Sequence, residues 1–216
     1  SNQAVATVEE DGSIRVVGAG TATITGRLGS MEASGSVTIV AEAPPSGPPP
    51  TPDIPAEDVI SLFSDAYPGW PVDSYSPDWD GADLTSFSIG DDEMLLYTKV
   101  YYAGIVFETY VIDATAMEYL HLDLWVPEGV SVLGVKLIDY GDDGTYQGAP
   151  DSEKEILLTT SSVPALTPGA WSSIDIPMSD FMVPGGLVNR EHLAQLYLTG
   201  GGITIFADNI YFYRMP

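Results

Sequence analysis

Beyond residue 56, the apolar residues occur in short runs, and almost no stretch shows the helical period of about 3.6 residues. The exception is a short segment from Arg190 to Leu193. Glycine, proline, aspartate or serine bounds each run, as is typical of strands joined by turns. The runs are VISLFSDAY, LTSFSIG, EMLLYTKVYY, GIVFETYVI, YLHLDLWV, SVLGVKLIDY, EILLTT, WSSIDIPM, LAQLYLTG and ITIFADNIYFY. These short strands predict an all-β fold, an antiparallel β-sandwich of the jelly-roll type, because a parallel α/β sheet needs helices between its strands.

A proline-rich segment separates this region from the N-terminal part of the chain. Residues 44 to 55, PPSGPPPTPDIP, contain seven prolines in twelve residues. Proline has no backbone N–H to donate and favours an extended conformation, so the segment is typical of a semi-rigid spacer between modules that work at a distance from each other. The sequence therefore predicts a module at 1 to 43, a linker at 44 to 55 and a sandwich at 56 to 216.

Residues 1 to 43 alternate apolar and polar side chains over short runs, separated by turns at Asp11-Gly12, Gly18 to Gly20 and Gly35. This pattern predicts short antiparallel strands. Around AVATVEEDGSIRVVGAGTATIT and SVTIV, the segment resembles roughly the second half of a bacterial immunoglobulin-like group 2 domain. The resemblance implies a spacer or adhesion module without chemistry of its own. Because a segment this short cannot close a sandwich, we expect it to have an open apolar face.

The charge balance excludes several classes of partner. The 216 residues carry a formal net charge of -24 with only seven lysines and arginines, so no cationic surface is available for nucleic acid or anionic lipid. Neutral sugars, cations and basic proteins remain possible. The absence of cysteine excludes thiol catalysis, disulfides and cysteine-ligated zinc. No apolar run is long enough for membrane insertion, and the first residues, SNQAVATV, read as the middle of a domain, so we expect a fragment of a longer protein.

One strand carries the strongest binding pattern. In YLHLDLWV, which begins at residue 119, apolar residues alternate with Tyr119, His121, Asp123 and Trp125. Successive side chains of a strand point to opposite faces, so the apolar set is predicted to pack in the core and the other set to lie outside.

The following strand repeats this alternation, with Lys136 and Tyr140 opposite its apolar positions. The connection PEG at 127 to 129 predicts that the two strands are hairpin neighbours with one shared outer face, which Gln195 and Tyr197 extend. Such a face suits sugars, because the C–H patches of pyranose rings stack on aromatic rings while polar side chains bind the hydroxyls. The alternative is that these aromatic residues only cover the second face beneath a loop.

Five stretches together carry a resemblance to a known family. They are VISLFSDAYPGWPVDSYSPDW, MEYLHLDLWVPEG, VKLIDYGDDGTYQGAPDSEKE, GAWSSIDIPMSDF and LAQLYLTGGGITIFADNIYFYR. In that order they resemble the jelly-roll carbohydrate-binding modules related to family 4, which accompany bacterial laminarinase-type glycoside hydrolases and occur in surface glycan-binding proteins. The resemblance covers nearly all of residues 57 to 214.

The resemblance implies a non-catalytic module that binds a polysaccharide, with β-1,3-glucan as the first candidate. It also implies a secreted or bacterial cell-surface protein, in which the module is covalently linked to a catalytic or surface-anchoring domain. We expect the module to be a monomer.

A loop tryptophan adds a further candidate. Trp79 follows Pro77 in SYSPDWDG, where an aromatic residue either covers the core or forms an exposed platform, and the resemblance favours a platform at the rim of the cleft. Trp70 has a similar setting, whereas Trp171 is expected in the core. The predicted ligand-binding residues are Trp79, Tyr97, Tyr102, Tyr119, His121, Asp123, Trp125, Lys136, Asp139, Tyr140 and Gln195.

A carboxylate is predicted to lie among core residues of the last strand. In TIFADNIYFY, the alternation places Asp208 on the same face as Phe206 and Ile210. Burying an unpaired charge is costly, and with so few basic residues a cation is a suitable partner. The family resemblance implies a structural Ca²⁺ here, held by Asp208 with Ser64 and Asp65. The alternative is that Asp208 bonds to Asn209, a tyrosine hydroxyl or backbone amides.

The stretch LIDYGDDGTYQGAPDSEKE, residues 137 to 155, holds six carboxylates among glycines. It does not fit an EF-hand, because counting from Asp139 puts glycine third and proline twelfth, where a bidentate glutamate is required. It is predicted to be a long loop at the sandwich edge, with Asp139 and Tyr140 bordering the sugar cleft. As an alternative, a second calcium ion would be bound by Asp142, Asp143 or Asp151.

Two other functions remain as alternatives. An enzyme is disfavoured because the chain has no HExxH, GxSxG or P-loop motif, and its only histidines are His121 and His192. A purely structural or adhesive role suits the N-terminal segment, but it leaves the aromatic face of the sandwich without a purpose.

Overall fold

A computed structural model of the protein describes residues 2–148 and 151–215. Residues 149 and 150, which belong to the acidic stretch, lie outside the described residues. The chain divides into two compact units, Ser1–Pro44 and Pro45–Pro216. In the parts of the chain that the structure describes, no helix is long and apolar enough to cross a membrane.

The first unit consists of two antiparallel hairpins. Its strands are β1 (Ala6–Val8), β2 (Ile14–Val16), β3 (Gly20–Leu28) and β4 (Met31–Ala41). Strand β1 pairs with β2, and β3 pairs with β4. Its buried apolar core is small, consisting of Val5, Ala6 and Ala22. The larger apolar side chains left exposed are Val8, Ile14, Val16, Val17, Leu28, Met31, Val37 and Val40.

The second unit is an antiparallel β-sandwich, as the short alternating runs predict. Its strands are β5 (Val59–Phe63), β6 (Asp83–Ile89), β7 (Asp92–Val106), β8 (Tyr119–Trp125), β9 (Val132–Asp139), β10 (Ser152–Thr159), β11 (Trp171–Pro177) and β12 (Leu193–Tyr213). One short helix, α1, spans Met178–Phe181, and single 3₁₀ turns lie at Ala56–Asp58, Glu108–Tyr110 and Gly141–Asp143. The all-β jelly-roll prediction is confirmed.

The long strands β7 and β12 take part in both layers of the sandwich. In the front sheet, the order is β10, β9, the first part of β12 and the last part of β7. In the back sheet, β11 and β8 lie on one side of the last part of β12, and β5 and the first part of β7 lie on the other, with β6 beyond β7. Register shifts between Thr199 and Ile203 separate the two parts of β12.

The inward-facing side chains of both sheets form one apolar core. Leu122 and Leu124 of β8 and Val135 and Leu137 of β9 are completely buried in it. The burial of each such side chain contributes about 1.5 to 3 kcal/mol. The apolar faces that the alternation predicts for β8 and β9 are therefore confirmed.

The prediction that β8 and β9 are hairpin neighbours is wrong. Strand β8 pairs with β11 and β12, whereas β9 pairs with β10 and β12 on the front sheet. The connection at residues 126–131 crosses from one sheet to the other instead of forming a tight turn. The alternation could not distinguish these two cases, because both put the apolar faces of the strands into one core. The outer residues of β8 and β9 consequently lie on different faces of the sandwich.

The proline-rich residues 45–54 pack against the back sheet, and we call them the strap. Pro45 and Pro49 are buried. The Trp171 indole N–H donates to the Gly47 carbonyl at 2.8 Å, and the Tyr67 hydroxyl donates to the Ile54 carbonyl at 2.9 Å. The strap thus lies over the part of the back sheet formed by β8, β11 and the last part of β12.

Candidate functional site

The outer side of the front sheet, which we call the front face, is built from residues in register on four strands. Residues directly opposite each other in antiparallel strands point to the same side, so three rows cross the sheet from β7 to β10. The rows are Tyr102, Thr199, Gly134 and Leu157; Gly104, Tyr197, Lys136 and Glu155; and Val106, Gln195, Ile138 and Glu153. The four strands therefore present one surface with aromatic, amide and charged groups.

An aromatic platform lies at the β7 side of the front face, formed by Trp79, Tyr102 and Tyr197. The rings of Trp79 and Tyr102 are nearly parallel, with centroids 6.4 Å apart. The Tyr197 ring is tilted by 49° from Trp79, at a centroid distance of 5.4 Å. Trp79 is 45% exposed and Tyr102 is 41% exposed. A loop tryptophan is thus held over the sheet with much of its surface open.

A chain of polar groups runs beside the platform. The Tyr197 hydroxyl donates to the Gln195 Oε1 at 2.6 Å, the Gln195 amide donates to the Tyr140 hydroxyl, and that hydroxyl donates to Glu108 Oε2 at 2.8 Å. Tyr140 also packs against Tyr146. Burial raises the pKa of both Tyr197 and Tyr140, so their hydroxyls stay protonated at neutral pH. The hydrogen bonds fix the directions of these side chains before any ligand arrives.

The charged groups of the front face are largely paired. Lys136 Nζ lies 3.0 Å from Glu153 Oε1 and 5.9 Å from the centre of the Tyr197 ring. The Thr199 hydroxyl donates to Glu155 Oε1 at 2.5 Å. The face therefore combines flat apolar rings with a rim of oriented donors and acceptors.

Several predicted ligand-binding residues lie on or beside this face. Trp79 and Tyr102 form the platform, and Lys136 and Gln195 stand in the rows. Gln195 is only 4% exposed, and Tyr140, which accepts a hydrogen bond from Gln195, is only 2% exposed. Other residues of the face were not in the predicted set: Thr199, Glu153, Glu155, Glu108 and Tyr146. The alternation of β10 in the sequence puts Glu153 and Glu155 on one face of that strand. Their position beside Lys136 could not be predicted, because it depends on how β10 pairs with β9.

Two further predicted residues are completely buried away from the front face. Tyr97 is completely buried in the core, where its hydroxyl donates to the Tyr75 carbonyl at 2.6 Å. Asp139 is also completely buried, and its carboxylate accepts hydrogen bonds from the backbone N–H of Gly141 and of His192, each at 2.8 Å. It stabilises a loop and does not border the front face.

The outer residues of β8 lie on the back sheet, not with Lys136. His121, Asp123 and Trp125 are 8%, 1% and 5% exposed, and Tyr119 stacks on Tyr213. For these residues, the alternative of a covered second face describes the structure: the strap lies opposite His121, and Trp125 packs against Phe206 and Trp171.

A histidine and two aspartates form the polar centre of this covered face. His121 Nδ1 lies 2.7 Å from Asp175 Oδ1, and its Nε2 lies 3.6 Å from Asp123 Oδ2. Burial favours the neutral imidazole, but the bonds to Asp123 and Asp175 outweigh it and raise the pKa of His121 to about 9. Burial works against the Asp175 charge as well, yet the contact with His121 lowers the pKa of Asp175. His121 is therefore a buried cation between two carboxylates.

A second acidic group surrounds Asp208, which is 1% exposed. Burial and the neighbouring Asp92 raise the pKa of Asp208 to about 7, and burial is also the main cause that raises the pKa of Asp92. Ser64 donates to Asn209 Oδ1 at 2.7 Å, and Asp65 accepts from the Glu93 N–H at 2.8 Å. Asp208 also accepts a hydrogen bond from the backbone N–H of Asn209 at 2.6 Å. The bond to Asn209, which is the predicted alternative to a calcium ion, is therefore present as well.

One carboxylate oxygen in this group is buried without a hydrogen bond to the residues that the structure describes. Asp92 Oδ1 is buried and has no hydrogen-bond partner among the residues that the structure describes. The buried carboxyl group of Asp208 beside the half-buried Asp92, with its free oxygen, fits a hard cation such as Ca²⁺, which takes oxygen ligands. The sequence pointed to Asp208 but missed Asp92, whose place on the adjoining strand β7 depends on the register.

A further metal-compatible group lies in the acidic loop region. The ligand atoms of Asp142, Glu191 and His192 lie within 4.8 Å of one another. Asp142 and Glu191 are exposed, and such groups are common at surfaces without an ion. Of the three acids proposed for a second calcium ion, only Asp142 belongs to this group.

Comparisons with known proteins identify the fold. No protein-family model matches the sequence, and no curated protein matches it. Two solved structures of family 30 carbohydrate-binding modules superpose with TM-scores of 0.52 and 0.51, at 13% and 14% identity. Each match covers 73% of this chain. The first covers 99% of the solved module, and the second covers 88%.

The family 11 carbohydrate-binding module of the cellulosomal cellulase Lic26A-Cel5E of Clostridium thermocellum is also similar, with a TM-score of 0.48 and 16% identity. The match covers 73% of this chain and 95% of that module. The two family 30 matches show that this chain contains the β-sandwich fold of those carbohydrate-binding modules.

Proposed function

We propose that the second unit is a non-catalytic carbohydrate-binding module that holds a neutral polysaccharide on the front face, with β-1,3-glucan as the first candidate. The observation that carries the proposal is the exposed aromatic platform of Trp79, Tyr102 and Tyr197 beside oriented polar groups. Aromatic rings stack on the C–H patch of a pyranose, while Lys136 and Glu153 at the edge of the face can bind its hydroxyls.

The charge of the chain supports a neutral ligand over an anionic one. The net charge of -24 repels a polyanion at long range, and Glu153 and Glu155 place carboxylates at the edge of the face itself. A neutral glycan avoids this repulsion and can still accept hydrogen bonds. The carbohydrate-binding modules with a similar fold support the general role, while the relation to family 4 stays a prediction.

The test is affinity electrophoresis in gels that contain soluble β-glucans, with xylan and an anionic polysaccharide for comparison. Migration should be retarded by a β-glucan, and Trp79→Ala should weaken binding about tenfold or more, since an aromatic stacking contact is worth about 1.5 kcal/mol. Trp70→Ala is the matched control, because Trp70 is similarly exposed but donates its indole N–H to the Tyr110 carbonyl outside the platform. Unretarded migration with every glycan would contradict the proposal and favour a structural or adhesive module.

We also propose that a structural Ca²⁺ is held by Asp92 and Asp208, with Asp65 and Ser64 nearby. Support comes from the buried oxygen of Asp92, which lacks a partner among the described residues, and from the shortage of basic residues to neutralise the pair. A chelator should lower the melting temperature of the sandwich, and added Ca²⁺ should restore it. An unchanged melting temperature would contradict this site.

The remaining parts of the chain are proposed to serve this function. The first unit, with its likeness to an immunoglobulin-like group 2 domain, is proposed as a spacer or adhesion module. The setting is an extracellular or bacterial cell-surface protein in which the module, a monomer, is linked to a catalytic or anchoring domain. Release of reducing sugar from a retarding glycan by this chain alone would instead indicate an enzyme.

A further inference from the structure

We propose that Gly104 is a positioning residue for the aromatic platform, because its missing side chain provides the space in which the six-membered ring of the Trp79 indole rests on strand β7. The inference builds on the proposed function of the front face, since the platform is the part that would stack on a sugar. Gly104 itself is buried beneath the tryptophan and would not touch the ligand.

The steric fit is close. A Cβ atom placed on Gly104 would lie 2.7 Å from Trp79 Cη2, 3.3 Å from Trp79 Cζ3 and 3.3 Å from Pro77 Cγ. Carbon atoms in contact prefer separations of about 3.5 to 4.0 Å. An alanine at this position would therefore force the indole away from the strand.

The backbone gives no separate reason for glycine here. Gly104 is not among the residues with positive φ, so an L-amino acid can adopt its conformation without strain. It also lies in the middle row of the sheet, opposite Tyr197, where a side chain would ordinarily point outward. The need for glycine comes from the ring above it.

The loop that carries Trp79 is fastened to the same strand. The Tyr102 hydroxyl donates to the Trp79 carbonyl at 3.0 Å, and Gly81 N–H donates to the Tyr102 carbonyl at 2.9 Å. Asp80 Oδ2 accepts from the Ser76 hydroxyl at 2.9 Å and faces the Gly104 N–H at 3.4 Å. Because the loop backbone is held on both sides of Trp79, a clash at Gly104 is relieved mainly by rotation of the indole. A rotated indole no longer lies nearly parallel to Tyr102, and the platform is lost.

The experiment compares Gly104→Ala with the control Gly69→Ala in the same unit. Gly69 has no positive φ, and a Cβ atom added there would have no neighbouring atom within 4 Å. Gly104→Ala should weaken binding of a retarding β-glucan about tenfold, which is the loss expected when a stacking contact is removed. Gly69→Ala should leave binding unchanged. Wild-type affinity in Gly104→Ala would overturn the inference.

A spectroscopic measurement tests the ring position without a ligand. The contribution of Trp79 to acrylamide quenching is obtained as the difference between each protein and the same protein carrying Trp79→Phe. This contribution should rise in Gly104→Ala and stay unchanged in Gly69→Ala. If the wild type binds no glycan, the proposed function fails, but increased quenching would still support the positioning role; unchanged quenching would overturn it.

A double-variant comparison covers the case in which Gly104→Ala does not fold. In the Trp79→Ala background the main source of the clash is absent. Adding Gly104→Ala should therefore shift the melting temperature by no more than a few degrees and should leave the residual glycan binding unchanged. A double variant that unfolds, or that loses further affinity, would show that Gly104 acts by another route and would overturn the inference.

Discussion

Replacing His121 with glutamine should remove a buried positive charge from the back sheet and make the sandwich less stable at neutral pH. The imidazole stacks on Tyr211, with ring centroids 4.6 Å apart, and lies between the carboxylates of Asp175 and Asp123. Glutamine keeps hydrogen-bonding capacity at the site but cannot carry the charge. The Asp123 carboxylate, which is 1% exposed, would then lose its nearest cation.

The size of the effect follows from the raised pKa. The pKa of His121 is about 9 in the folded protein, against 6.5 for an ordinary histidine. At 1.36 kcal/mol for each pH unit, the charged form contributes about 3 kcal/mol to the free energy of unfolding. Because the folded-state pKa is the higher one, this contribution is complete below pH 6.5 and is lost as the pH rises from about 6.5 to 9. At about 2 to 4 °C for each kcal/mol, the variant should melt about 6 to 12 °C lower near pH 6.

Urea unfolding followed by tryptophan fluorescence measures this effect in the sandwich alone. The four tryptophans, Trp70, Trp79, Trp125 and Trp171, all lie in the second unit. The free-energy difference between wild type and His121→Gln should be about 3 kcal/mol larger at pH 6 than above pH 9, where only the pH-independent loss of packing against Tyr211 remains. Titrating groups that do not interact with His121 cancel in this difference. A difference that is small at pH 6, or that stays constant up to pH 10, would refute the reasoning.

A direct titration by NMR gives an independent check. The chain has two histidines, so two imidazole Cε1–H signals are expected, and His192→Gln identifies the signal of His121. Its chemical shift should change with a midpoint near pH 9. A midpoint near 6.5 would mean that the two aspartates do not hold the charge.

Three further predictions concern the acidic pair, the strap and the core. Asp208→Asn should raise the stability of chelator-treated protein near pH 7.5, because it removes a buried carboxylate next to Asp92, and it should abolish stabilisation by Ca²⁺. Thermal melts with and without the ion measure both effects, and continued stabilisation by Ca²⁺ would contradict the site. Trp171→Phe should loosen the strap by removing the bond to the Gly47 carbonyl, so limited proteolysis should cut residues 45–54 faster than in wild type, and equal rates would contradict that role. Leu122→Ala should cost about 2 to 5 kcal/mol in urea unfolding, since it opens a cavity in a completely buried part of the core, and a loss below 1 kcal/mol would contradict its packing.

The alternation of single strands could be predicted from the sequence. Leu122 and Val135 are in the core because each belongs to an apolar face with the period of two that a strand imposes. The same pattern placed Lys136 and Gln195 on an outer side. Local periodicity was sufficient for these assignments because it depends only on the strand itself.

Which strands pair with each other, and which face of the sandwich the strap covers, could not be predicted in the same way. His121 and Lys136 have the same kind of local pattern, yet one lies under the strap and the other on the open face, because the chain crosses between sheets after β8. The sequence of the strap predicts a spacer, because proline has no backbone N–H to donate to a neighbouring strand. Prolines can still pack on a sheet through their rings. The contact of the Trp79 ring with Gly104 joins residues that are 25 positions apart in the sequence, so no local pattern contains it.

The sharing of β7 and β12 between the two sheets has a consequence for how the sandwich opens. Tyr197 of the front face and Tyr211 beneath the strap belong to the same strand, so neither sheet can separate from the other without breaking β12. The second unit should therefore exchange its core amide hydrogens as a single cooperative block. A ligand that binds only the front face would slow exchange in β8 and β11 as well, and the protection of the remote sheet would report binding at a distance from the sugar.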